Sequence, residues 1–120
     1  MSELIGTKAI LHFSASVNGL GVLVARGESA GTPIHITVAG QVHRVHMWAV
    51  NNSGSNVLLT IEHGGTTIGN RIEQTITARD GTTKVIDGLV IFSEDTAYTL
   101  AAFAATENVI TTFGYVEQLR

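Results

Sequence analysis

The sequence of 120 residues contains no cysteine, only one proline and few charged residues. Without cysteine the chain can form no disulfide, no thiolate metal site and no cysteine nucleophile. Charged residues make up 14% of the chain, against a typical ~25%. The seven Lys and Arg residues are scattered and the net charge is -3. This argues against nucleic acid as a partner, because phosphate backbones are held by clustered basic side chains.

Long apolar runs are also missing, so the sequence gives no sign of a membrane span. No stretch approaches the ~18 consecutive apolar residues of a spanning helix, and the segment Met1 to Gly6 lacks a basic region followed by an apolar core. We therefore expect neither a membrane anchor nor a signal peptide. Hydrophobic residues still account for 44% of the chain. That fraction excludes disorder, and the length fits one domain of ~100–200 residues.

Apolar and polar residues alternate over almost every segment after residue 31, which is typical of half-buried strands. In residues 42–50, for example, Val45 and Met47 share one face, while His46 and Trp48 share the other. Gly64-Gly65 and Asp80-Gly81 predict hairpin turns, because such turns need backbone conformations that glycine adopts without strain. The predicted strands cover residues 34–38, 42–50, 57–62, 72–78, 84–86, 89–92, 97–105 and 109–118.

About eight short strands without a convincing amphipathic helix predict an all-β domain, an antiparallel, jelly-roll-like β-sandwich. Residues 97–105 are the ambiguous segment, since their alanines favour a helix. The flanking threonines and the short length favour a strand, and we therefore predict a strand for this segment. We expect helix in less than about a tenth of the chain, below the usual ~30–35%. The predicted core contains Ile36, Val45, Met47, Leu59, Ile61, Ile76, Leu100 and Val116.

Residues 1–31 differ from the β-sandwich domain predicted for residues 32–120. Their apolar groups are interrupted by glycines, so the segment is a poor autonomous element. We expect an N-terminal arm, hairpin or edge segment, with an arm packed on a neighbouring subunit as the favoured form. The large aliphatic and aromatic residues predicted to form interfaces are Ile10, Leu11, Phe13, Leu20, Val22, Leu23, Trp48, Phe103 and Tyr115.

The residues that could take part in catalysis or metal binding form no recognisable site, which favours a protein that is not an enzyme. His43 and His46, three residues apart, would point to opposite faces of a strand, whereas metal ligands must converge. A cluster across strands with His35 or His63 stays open as an alternative, and no metal or other cofactor is predicted. The serines lack the Gly-x-Ser-x-Gly elbow of a nucleophile and the glycines form no phosphate loop. Trp48 would serve either packing or sugar binding, with packing favoured.

A resemblance to known proteins is carried by residues 42–52, 59–65, 87–91, 100–104 and 113–117. These runs resemble small all-β structural proteins of tailed-phage virions, of the capsid decoration or cement type. The resemblance extends over residues 32–118. It implies a jelly-roll-like fold, no catalysis, oligomers that are often trimers, and attachment to the phage major capsid protein.

Low charge points independently towards assembly, because a small monomer usually keeps its surface charged for solubility. The leading hypothesis is a non-enzymatic virion structural protein, a homotrimer on the capsid surface that is made in the host cytoplasm. The alternative is a soluble β-sandwich binding module, for carbohydrate, that uses Trp48 or a histidine cluster. A broad interface would favour assembly, and a concave pocket with convergent polar groups would favour a ligand.

Overall fold

A computed structural model describes residues 6–120 of the chain. Nine strands and one short 3-10 helix, Ile68–Asn70, are formed within these residues. The strands are β1 (Ala9–Leu11), β2 (Val22–Leu23), β3 (Thr32–Ile36), β4 (Gln41–Asn51), β5 (Val57–His63), β6 (Arg71–Ile76), β7 (Thr82–Ser93), β8 (Thr99–Ala104) and β9 (Ile110–Gln118).

The strands form two antiparallel sheets that pack as a sandwich. One sheet has the order β1-β9-β4-β7, with β2 also paired to β9, and the other has the order β3-β8-β5-β6. The first and last strands are neighbours, and most connections cross from one sheet to the other, which is the arrangement of a jelly roll. The predicted all-β sandwich is confirmed. The ambiguous segment is also a strand, β8, because its small alternate residues Ala102 and Ala104 fit the closely packed core.

Only one of the two predicted hairpins forms. Strands β5 and β6 pair with each other, so Gly64-Gly65 begins a hairpin connection, although residues 64–70 make it longer than a two-residue turn. Asp80-Gly81 connects β6 of one sheet to β7 of the other. Gly81 adopts a positive φ of 68°, but the strands that flank the turn belong to different sheets, so the hairpin prediction is wrong there.

The core lies between the sheets and contains seven of the eight residues predicted for it. Ile36 is the exception, with 49% of its surface exposed, whereas Ile34 is fully buried. The pairing of β3 with β8 shifts register between Pro33 and His35. This β-bulge inserts one residue and reverses the alternation that follows, so that Ile36 points outward.

Two alanine substitutions on β3 test the bulge. Ile34→Ala removes a side chain with 0% exposure and is expected to lower the free energy of unfolding by about 3 kcal/mol. Ile36→Ala removes an exposed side chain and is expected to change it by about 0.5 kcal/mol. Urea unfolding of both variants measures the difference. Equal costs would show that the register shift is absent.

The N-terminal segment is part of the sandwich from residue 9 onward. Strands β1 and β2 pair with β9, and Phe13, Val22 and Val24 belong to the same hydrophobic core as the rest of the chain. Residues 9–24 are therefore an edge of the domain, and the favoured picture of an arm on a neighbouring subunit does not describe them. Residues 1–5 of the predicted arm lie outside the described residues.

Candidate functional site

The outer face of the five-stranded sheet carries a row of four rings, His46 and Trp48 of β4 with Phe113 and Tyr115 of β9, which we call the aromatic row. The register places Trp48 opposite Phe113 and His46 opposite Tyr115. The His46 and Tyr115 rings are stacked, with centroids 4.7 Å apart, and those of Trp48 and Tyr115 are 6.2 Å apart. These residues point outward because they alternate with the buried Val45, Met47 and Val116, as the period of two requires.

Charged groups border the aromatic row on two sides. The Lys84 ammonium lies 4.5 Å from the centre of the Trp48 ring, within the range of a cation–π contact. Its Nζ is also 2.9 Å from the Asp87 carboxylate, and this hydrogen bond lowers the pKa of Asp87. The Lys84 ammonium thus covers part of one face of the indole.

Glu117 lies at the other side of the row. The Thr7 hydroxyl donates to one of its carboxylate oxygens over 2.5 Å, and the His46 Nε2–H group donates to the other over 2.6 Å. The Arg44 Nη1 atom is 3.6 Å from the same carboxylate. The hydrogen bond from Thr7, followed by that from His46, lowers the pKa of Glu117. The carboxylate is thus held in its charged form, where it orients the His46 ring.

An apolar area continues from the aromatic row to the edge formed by β1 and β2. Ile10 lies opposite Glu117 and Leu23 opposite Thr111 on this outer face. Leu20 precedes Gly21, which packs closely against Phe113. A Cβ atom added to Gly21 would lie 2.7 Å from the Phe113 ring. Exposed fractions in this edge patch are 63% for Ile10, 67% for Leu20, 47% for Leu23 and 42% for Phe113.

The predicted interface residues therefore divide into three groups. Ile10, Leu20, Leu23, Trp48 and Tyr115 lie on or beside the outer face just described. Phe13 and Val22 are buried and Leu11 packs against the core, so these three stabilise the domain instead of presenting a surface.

Phe103 is separated from that surface, because it lies on β8 in the other sheet. The Arg71 guanidinium is 5.5 Å from the centre of its ring. The sequence pattern had placed His46 on the same strand face as Trp48, but it had not indicated Phe113 or Lys84 as neighbours of Trp48. Their positions depend on the pairing of β4 with β7 and β9.

The histidines do not converge on one point. His35 and His43 meet inside the domain, with 3.0 Å between ring nitrogens, whereas His46 faces outward and His63 ends β5. Among residues 6–120, no group of three or more His, Asp or Glu side chains could hold a metal ion. The cross-strand alternative thus gives a pair and no larger cluster.

The surface depressions formed by residues 6–120 include two that are large enough for a small ligand. One, of about 320 Å³, is lined mainly by Leu89, Ile91, Phe92 and Tyr98. The other, of about 400 Å³, lies beside Glu62.

The Glu62 carboxylate already has internal partners. It accepts hydrogen bonds from the Ser29 hydroxyl and the Gly31 amide and lies 3.6 Å from Arg71. It therefore anchors the loop of residues 29–31 against β5.

Comparisons with known proteins place the chain in no family. Within residues 6–120, no helix has the length and apolar character needed to cross a membrane. Neither the models of known protein families nor the curated proteins contain a match to this chain.

Proposed function

We propose that the chain is a non-enzymatic structural protein of a tailed-phage virion, which decorates the capsid and stabilises it through oligomeric contacts. Its partners are further copies of the chain, in a trimer, and the phage major capsid protein. The proposed location on the capsid surface and the proposed trimer are based on the resemblance of residues 32–118 to decoration proteins. The single observation that supports assembly is the outward surface formed by the aromatic row and the edge patch.

This surface has the composition of a protein interface. Aromatic residues and Arg are enriched in interfaces, while Lys, Glu and Asp are depleted at their centres. Here the four rings occupy the middle, and Arg44, Lys84 and Glu117 lie at the border. A soluble monomer rarely exposes a contiguous apolar patch of more than a few hundred Å². A second copy or a capsid surface would remove these side chains from water.

A carbohydrate-binding module is the second candidate, and one observation favours it. Trp48 and Tyr115 lie side by side on an open sheet face, with charged groups within reach of a stacked sugar ring. Lys84 opposes this function, because its ammonium already covers part of one face of the Trp48 ring. Titration with oligosaccharides, followed by Trp48 fluorescence, separates the candidates: a saturable change without any change in oligomeric state would support the binding module.

Self-association is tested by replacing one ring of the surface. Phe113→Lys is expected to weaken oligomers at least about tenfold, because it places a charge in the centre of an apolar contact. Leu58→Lys is the matched control, since Leu58 is 41% exposed, close to the 42% of Phe113, and lies on the other sheet. Light scattering coupled to gel filtration measures the mass of each variant.

Sedimentation with capsids produced from the same genome tests the attachment to a virion. The chain is expected to sediment with the capsids, and Phe113→Lys to do so less than Leu58→Lys. A wild-type chain that is monomeric at tens of micromolar and stays in the supernatant would contradict the proposal.

A further inference from the structure

Two buried histidines connect the two sheets of the sandwich. His35 belongs to β3 in one sheet and His43 to β4 in the other. Their exposed fractions are 3% and 0%, and His35 Nε2 is 3.0 Å from His43 Nδ1. No other part of the proposed function uses these rings, so their arrangement needs an explanation of its own.

The hydrogen bonds at the two ends determine where the ring protons are. The Ser14 backbone N–H donates to His35 Nδ1 over 3.0 Å, so this nitrogen is an acceptor and carries no proton. His35 Nε2 therefore carries the proton of the neutral ring and donates it to His43 Nδ1. His43 Nε2 in turn donates to the Gln41 amide oxygen over 2.8 Å. Every hydrogen bond from Ser14 through the two histidines to Gln41 is therefore donated in the same direction.

A further proton has no place in this chain of groups. On His35 it would occupy Nδ1 and face the Ser14 N–H, so that two donors would meet. On His43 it would occupy Nδ1 and face the His35 Nε2–H with the same result. Burial adds to this cost, since a low-dielectric surrounding disfavours the charged form. Burial, followed by the charges of His43 and His12, lowers the pKa of His35 to about 4, and burial lowers the pKa of His43.

Within residues 6–120, the surroundings of the pair supply no negative charge to offset a proton. The strand neighbours across the sheets are Leu100 of β8, Ile91 of β7 and Gln118 of β9, none of which is charged. On the N-terminal segment, Phe13 packs against His35 with ring centroids 6.2 Å apart. His12 lies on the same segment, and its coulombic repulsion also lowers the pKa of His35.

The same pair also holds the N-terminal segment in place. Three hydrogen bonds tie residues 14 and 15 to β3: from the Ser14 amide to His35, from the Ile36 amide to the Ser14 hydroxyl, and from the Ala15 amide to the Ile34 carbonyl. The first of these hydrogen bonds, from the Ser14 amide, requires an unprotonated Nδ1 on His35. The other two hydrogen bonds lie next to it. Loss of the first would loosen the segment that leads from β1 to β2.

We propose that the His35–His43 pair is an acid-sensitive latch, which holds the N-terminal segment and the two sheets together while both rings are neutral and releases the segment when one ring is protonated. The expected direction follows from linkage. Above about pH 6.5 both rings are neutral in the folded and unfolded chain. Between about pH 6.5 and pH 4 the unfolded chain binds protons that the folded chain does not. Acid therefore favours opening, and the effect is complete below about pH 4.

Nitrogen NMR of the full chain, labelled at histidine, tests the proton positions directly. Both rings are expected to be neutral and protonated at Nε2 at about pH 7 and to remain so at about pH 5. Amide hydrogen exchange, corrected for its intrinsic rate, reports release. The protection of the Ser14, Ala15 and Ile36 amides is expected to fall at least about tenfold between about pH 7 and pH 4.5.

The variant His35→Gln with His43→Gln keeps the direction of donation without a titratable ring. Each glutamine can accept at its oxygen and donate from its nitrogen, so this variant is expected to keep its protection at about pH 4.5. His63→Gln, at the end of β5, serves as the control and should behave like the wild type. The latch is refuted if either ring of the wild type titrates near its ordinary pKa of about 6.5, or if acid leaves the three amides protected. Equal acid sensitivity of the double variant would also overturn it.

Discussion

Gly114→Ala is expected to prevent the domain from folding. Gly114 lies in the middle of β9 opposite Met47, with φ 153°. A Cβ atom there would lie 2.0 Å from the His46 carbonyl oxygen and 2.9 Å from the Phe13 ring. The oxygen belongs to the backbone of a central strand and cannot move without breaking the pairing of β4 with β9. We expect a loss of more than about 4 kcal/mol, a large fraction of the ~5–15 kcal/mol that stabilises a domain.

Gly54→Ala is the matched control for this substitution. Gly54 lies in the turn before β5, and no atom lies within 4 Å of the position that a Cβ would take. Its substitution is expected to change the free energy of unfolding by at most about 0.5 kcal/mol. Far-UV circular dichroism and urea unfolding compare the two variants. A Gly114→Ala chain that unfolds at the wild-type urea concentration would contradict the close approach of β9 to β4.

The strands of the sandwich were predictable because each one is half-buried. In β4 the outward residues, among them Trp48, alternate with buried Val45 and Met47, and this local pattern is enough to assign both faces. The same pattern does not reveal which strands pair. The hairpin predicted at Asp80-Gly81 shows this limit, since a turn sequence satisfies its own backbone whichever sheet the next strand joins.

Other features depend on contacts that are distant in sequence. The outward position of Ile36 follows from a bulge against β8, and nothing in residues 32–36 indicates it. The meeting of His35 and His43 requires two strands to face each other across the core. Trp48 was recognised as a candidate, but Lys84 and Tyr115 become its neighbours only through pairing with β7 and β9. The sequence therefore indicated single site residues without indicating their partners.

The N-terminal segment has two roles that the sequence did not separate. Its inward side chains, Phe13, Val22 and Val24, complete the core, and its outward side chains, Ile10 and Leu23, form the edge patch. Strands this short cannot be stable alone, and they form here because β9 offers a free edge along its length. Covering that edge also protects β9 from pairing with other chains.

Deletion of residues 1–31 is therefore expected to abolish folding as well as assembly. It removes the buried side chains of Phe13, Val22 and Val24, each worth ~1.5–3 kcal/mol when fully buried, and leaves β9 with an exposed edge. We expect a chain that lacks a cooperative unfolding transition and aggregates, as circular dichroism and light scattering would show. Ile10→Ser combined with Leu20→Ser is the control for the surface role. It should unfold like the wild type and yet form weaker oligomers. A truncated chain that folds normally would restore the separate arm and contradict the edge role of β1 and β2.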